Sequence, residues 1–157
     1  MKIDDDTTIN PLKLMNNLAS KHYTNIHHKV IGYDIGKRTV YRTGSWHMPE
    51  EQFPFSKYPS YITGGFTCLR SDILTTLIKT SEFVPITRLE DVYLTGIVRK
   101  IAGYNVTHDK DWGPGIAQTE DNYQRMIAGK IIAAHHGWIN RRIELYEQMK
   151  LHENHGT

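Results

Sequence analysis

The stretch Tyr58-Pro59-Ser60-Tyr61-Ile62-Thr63-Gly64-Gly65-Phe66-Thr67-Cys68-Leu69, followed after Arg70 by Ser71-Asp72-Ile73-Leu74-Thr75-Thr76-Leu77-Ile78-Lys79, decides the fold class of this 157-residue chain. Gly64 to Leu69 reads as a short buried strand entered through glycines. Ser71-Asp72 is a cap for the helix that follows, and Leu74, Leu77 and Ile78 supply its apolar stripe. A buried strand feeding straight into an amphipathic helix is the building unit of a layered α/β domain.

The same alternation continues on both sides. Toward the C-terminus, a helix starts at Glu90-Asp91, carries Val92, Ile97 and Ile101, and ends at Gly103. Tyr104 to Thr107 is the next strand. After a break at Gly113-Pro114-Gly115, Lys130 to Ala134 reads as a strand ending at His135-His136-Gly137, and Asn140 to Met149 as an amphipathic helix built on Ile143, Tyr146 and Met149. Toward the N-terminus, Trp46 to Tyr61 carries Pro49, Pro54 and Pro59 among aromatics, so it is ordered but irregular, as ligand-binding loops often are. Lys29 to Asp34 and Arg38 to Arg42 flank the turn-prone Gly36 as a pair of strands. Asn10-Pro11 opens a helix with Leu14, Met15 and Leu18 on one face. Strands and helices alternate, no repeat is present, and the length fits one domain spanning 1–157.

Composition excludes several classes. Hydrophobic residues at 39% and charged residues at 23% are globular values, which argues against disorder. A formal charge of +2 with no concentrated basic face gives no nucleic-acid partner. No run approaches the ~18 apolar residues of a membrane helix. Cys68 is the sole cysteine, so no disulfide forms within the chain. Asn105-Val106-Thr107 has the pattern of an N-glycosylation acceptor, a slight hint of a lumenal setting.

Four constellations can carry chemistry. Asp4-Asp5-Asp6 packs carboxylates that repel one another unless a cation or solvent relieves them, and oxygen donors suit magnesium or manganese; a solvated acidic turn is an equally good reading of these residues alone. Glu90-Asp91 at a helix head is either a cap or a catalytic base with its neighbour. His135-His136 at a strand end can add a metal ligand, although paired histidines are also ordinary exposed residues. Tyr58-Pro59-Ser60-Tyr61 before Gly64-Gly65 offers flat faces and hydroxyls suited to a sugar, although core filling under an irregular loop is the commoner use of such aromatics.

The order Lys2-Ile3-Asp4-Asp5-Asp6, Trp46, Tyr58-Pro59-Ser60-Tyr61-Ile62-Thr63-Gly64, Glu90-Asp91-Val92-Tyr93 resembles the beta-1,3-galactosyltransferase family, which also contains beta-1,3-N-acetylglucosaminyltransferases. The resemblance runs to about Met149. It implies a GT-A fold, here expected to be the C-terminal part of a catalytic domain without its N-terminal nucleotide-binding half. It further implies a type II Golgi membrane enzyme that works on the lumenal side, takes a UDP-sugar and usually manganese, and glycosylates a glycan or glycoprotein acceptor. Matched residue by residue, Asp4 and Asp6 hold the metal, His135 is a third ligand, and Asp5 lies nearer the donor sugar. Asp91 is the base of an inverting displacement with Glu90 beside the donor, and Trp46, Tyr58, Pro59, Tyr61, Gly64 and Gly65 contact substrate. Two other readings compete: a catalytically silent remnant acting as a binding module, and a small metal-dependent phosphohydrolase, which has no use for the aromatic segment.

Overall fold

The computed structural model describes residues 1–20, 29–112, 120–135 and 139–155. The strands are β1 (Lys2–Ile3), β2 (Thr7–Ile9), β3 (Lys29–Asp34), β4 (Ile62–Leu69), β5 (Asn105–His108) and β6 (Ala133–His135). The α-helices are α1 (Pro11–Ala19), α2 (Ser71–Ser81), α3 (Arg99–Ile101), α4 (Glu120–Ile127) and α5 (Ile139–His155). A π-helix occupies Val92–Val98 and a 3-10 turn Lys110–Trp112. The chain is α/β with a mixed sheet, as its sequence pattern predicts. The expected break at Gly113 to Gly115, and His136-Gly137, lie outside the described residues.

Strand β4 is central. The larger sheet has the order β1-β4-β3-β5, with β4 antiparallel to both neighbours and β3 parallel to β5. A second, two-stranded sheet pairs β2 antiparallel to β6, setting Thr7 opposite His135. Adjacent strand residues point to opposite faces, and β3 uses this. Val30 packs with Ile62, Ile73, Leu77, Val84 and Val98 beneath α2 and the π-helix. Ile31 packs with Leu14, Phe66, Trp112, Ile132 and Ala133 between the two sheets, where the Phe66 and Trp112 rings stack at 4.9 Å. At Gly32, beside a register shift in β3, a Cβ would fall 2.3 Å from Ile62 Cγ2, so the strands approach more closely than any side chain allows.

Several expectations are corrected by packing. Arg38 to Arg42 is no strand beside β3; only Thr39 makes a bridge, to Lys57, because β3 already has β4 and β5 as neighbours. The irregular segment is instead ordered by Arg42, whose guanidinium donates to the carbonyls of Met48 (2.8 Å), Phe53 (2.9 Å) and Phe55 (2.9 Å). Helix α2 starts at Ser71 with Arg70 in the cap position and no side-chain cap. Its buried pair is Ile73 and Leu77, while Leu74 and Ile78 face solvent. Four apolar residues at 73, 74, 77 and 78 offer two stripes, and only the sheet decides between them. Likewise α5 buries Leu145 and Met149, leaving Ile143 and Tyr146 in an open groove of about 440 Å³. Helix α1 begins as expected, with Asn10 Oδ1 accepting from Lys13 N at 2.9 Å, but it buries Leu14 and exposes Met15.

Candidate active site

The aspartates form the turn that joins the two sheets. β1 ends at Ile3, Asp4 N donates to Gly65 O (3.1 Å), and Thr7 N closes the turn on Asp4 O (3.1 Å) before entering β2. Asp4 to Asp6 therefore stand at the C-terminal end of the first strand. The β2–β6 register then brings residues far apart in sequence together: His135 Nε2 lies 2.8 Å from Asp6 Oδ2. Asp5 points to solvent while its carbonyl accepts from Arg142 of α5.

Asp4 behaves differently from Asp6. Its carboxylate faces Lys2, with Oδ1 2.7 Å from the ammonium. The same ammonium donates to Gly64 O (2.7 Å) and contacts Glu90 Oε1. Lys2 thus links the aspartate turn, the middle of β4 and the head of the π-helix. Burial pulls its pKa down, but the Asp4 and Glu90 carboxylates outweigh this and hold it above the ordinary lysine value. Gly64 lies against this group, since a Cβ there would sit 3.4 Å from both Asp4 Oδ2 and Glu90 Oε1.

Asp91 precedes the π-helix, its Oδ1 accepting from Val92 N at 2.7 Å. Burial raises its carboxyl above the usual aspartate range, the Glu90 charge adds to this, and the Val92 amide and Lys2 oppose it. A carboxylate whose pKa is raised in this way is a better base. Thr95 holds the segment to β4: its Oγ1 accepts from Ile62 N (3.0 Å) and lies 2.7 Å from Asp91 O. One turn along, a Cβ on Gly96 would press within 3.2 Å of Pro59 Cγ and Tyr61 Cβ. Glycine lets this helix sit directly on the aromatic segment.

That contact favours the core-filling reading of the aromatic segment over the sugar-facing one. Tyr58 and Tyr61 are 1% and 6% exposed, in a cluster with Val40, Met48, Phe53 and Val92. Their rings form a floor beneath the π-helix instead of open faces for a sugar, because the irregular segment has no other core. They remain close enough for the Asp91 charge to help burial raise both phenol pKa values. Pro59 is half-buried against Gly96, and Gly65 is committed to the sheet through its carbonyl. Trp46 is 65% exposed on the irregular segment, where Ser45 O accepts from Arg88 at 3.4 Å.

The structure brings Asp6 to His135, and Asp4 to Glu90 through Lys2. Among the described residues, no three His, Cys, Asp or Glu side chains gather closely enough to form a complete metal cage. The pair Asp6 and His135 still suits a divalent ion. Asp6 Oδ1 and His135 Nδ1 are buried without hydrogen-bond partners among the described residues. Manganese or magnesium needs only one or two protein donors when water and substrate phosphates complete its shell. Asp6 and His135 would hold such an ion, while Asp4, expected as a second aspartate ligand, faces Lys2 instead.

Three contributors escape sequence reading: Lys2, Arg142 and the buried Arg99. Arg99 donates to the carbonyls of Thr95 (2.6 Å), Tyr104 (2.5 Å) and Ser60 (2.9 Å), and Ser60 Oγ in turn donates to the Asp34 carboxylate at 2.6 Å. The sequence marks Lys2 only as the first residue of the motif Lys2-Ile3-Asp4-Asp5-Asp6, with no role of its own.

A family model described as Galactosyltransferase matches residues 1–110. Among curated proteins, beta-1,3-galactosyltransferase brn of Drosophila melanogaster is 35% identical over 72 residues, covering 46% of this chain and 22% of that protein. Beta-1,3-galactosyltransferase 1 of Mus musculus is 29% identical over 102 residues, 64% of this chain and 31% of that protein. Beta-1,3-galactosyltransferase 2 of Homo sapiens is 28% identical over 96 residues, 60% of this chain and 23% of that protein. The chain spans less than a third of the length of each of these relatives. Among the described residues, no helix is long and apolar enough to cross a membrane.

Proposed function

The chain belongs to the galactosyltransferase family, and from that premise we propose that it supplies the catalytic side of an inverting, metal-dependent hexosyltransferase. The mixed sheet with helices on it fits a GT-A-like α/β domain. In this reading the whole protein moves galactose or an N-acetylhexosamine from a UDP-sugar to a glycan or glycoprotein hydroxyl on the lumenal side of the Golgi membrane. The observation that carries it is the convergence, around Gly64, of the Asp4 to Asp6 turn with the carboxylates at the head of the π-helix.

Asp91, with its raised pKa, takes the proton of the acceptor hydroxyl as that oxygen attacks the anomeric carbon. The bond to the diphosphate breaks on the opposite face, on the side of the aspartate turn. A bound divalent ion supplies positive charge that offsets the negative charge developing on the departing diphosphate. Glu90 lies beside the turn through Lys2, and Trp46 and Asp5 remain exposed for acceptor and donor contacts.

The test uses the full-length enzyme containing this chain, with a UDP-hexose and a glycan acceptor. Transfer should require added manganese or magnesium. Asp91→Asn should lower transfer by roughly two to four orders of magnitude while donor binding persists. Near-normal transfer by Asp91→Asn would make Asp91 a helix cap alone and move the base to Glu90.

A further inference from the structure

We infer that Lys2 is a positioning residue that sets the gap between the diphosphate side and the acceptor side of the site, an inference that rests on the transfer reaction proposed above. An ammonium has three N–H donors and no acceptor. Lys2 finds three oxygens, each on a different element: Asp4 Oδ1 on the aspartate turn, Gly64 O on β4, and Glu90 Oε1 at the head of the π-helix. These contacts join positions 62 and 88 residues away in sequence. The Lys2 side chain starts from β1, whose backbone is already fixed to β4 by the pairing Lys2↔Thr67. The ammonium thus reaches from β1, paired to β4, to two carboxylates on other elements.

The consequence is geometric. Asp4 precedes the turn that carries Asp6, and Glu90 precedes Asp91, so the two grips fix the turn relative to the base. Transfer to an acceptor needs reacting atoms about 3–3.5 Å apart, and a misplacement of ~1 Å costs about a hundredfold. A loosened gap also admits water as a competing nucleophile. Lys2 touches neither reacting atom in this account and acts only through Asp4 and Glu90.

The experiment uses the full-length enzyme. Lys2→Met should lower kcat for transfer by ten- to a hundredfold and raise the fraction of UDP-hexose lost to water relative to that transferred. Lys2→Arg should restore most of the transfer and the low hydrolysis fraction. The double variant Lys2→Met with Glu90→Gln should be no slower than the slower single variant, because both remove one contact. Independent, multiplying effects, or a hydrolysis fraction unchanged in Lys2→Met, would overturn the positioning role. If Lys2→Met does not fold, Lys2→Gln, which keeps one donor, should show the same shift toward hydrolysis; an unshifted fraction there overturns it equally. A wild-type enzyme that transfers no hexose refutes the parent reaction and this role with it, whereas an active wild type with normally coupled variants refutes this role alone.

Discussion

At the scale of single residues, Asp91 combines a task with a cost. Its carboxyl is raised chiefly by burial, so in the folded protein the ionised form is disfavoured relative to the unfolded chain. The folded state therefore binds more protons than the unfolded state between the ordinary aspartate pKa and the raised one. Stability is greatest below that window and declines as pH rises through it. Asp91→Asn keeps an oxygen for Val92 N and removes the charge. In thermal melts it should unfold at a higher temperature than wild type at pH 7.5, with the difference shrinking toward pH 4. A variant that melts lower at pH 7.5 would mean that the ionised carboxylate stabilises the helix head. Asp4 to Asp6 were legible as an unusual local run, whereas Glu90-Asp91 stood out only by its place in the order of motifs, since Glu120-Asp121 is the same dipeptide at another helix head. Lys2, Arg99 and Arg142 were not, since one lysine or arginine carries no local pattern and their partners lie on distant elements.

At the scale of elements, the π-helix shows why close packing and sequence pattern diverge. Val92, Ile97 and Ile101 predict an ordinary helix, but within this segment Val92 and Val98 are fully buried and Ile101 is exposed. The wider turn accommodates the contact of Gly96 with Pro59 and Tyr61. Gly96→Ala should destabilise the protein by about 1–3 kcal/mol through overpacking, read from denaturant unfolding. It should also lower transfer, since Asp91 opens the same segment. An unchanged midpoint would show that Pro59 and Tyr61 move aside freely. The long elements β3, β4, α2 and α5 were readable as elements from their hydrophobic residues, but the buried faces of α2 and α5 and the missing cap of α2 were not. The sequence predicts β6 over Lys130 to Ala134 but it occupies only Ala133–His135, β2 at three residues is too short for any period, and α4, Glu120–Ile127, is too polar to show a stripe before its partners are known. Residues Tyr123 and Met126 of α4 gain meaning only against Leu145 and Met149 of α5.

At the scale of the whole molecule, the aspartate turn is where β1 of the larger sheet passes into β2 of the smaller one. Contacts from late in the chain reach it: His135 meets Asp6, and Arg142 donates to Asp5 O. Arg142→Met should speed amide hydrogen exchange at Thr7 and at Ala133–His135 while leaving β3 and β4 protected. Equal protection throughout would mean that the turn stands without α5. The seam between the sheets carries a thermodynamic consequence. A ligand that grips Asp6 and His135 together binds only when β6 is docked on β2, so its binding energy adds to the stability of the late segments by mass action. Donor and ion would then act as folding cofactors for α4 and α5, and exchange protection in those helices would report site occupancy without any measurement of sugar transfer.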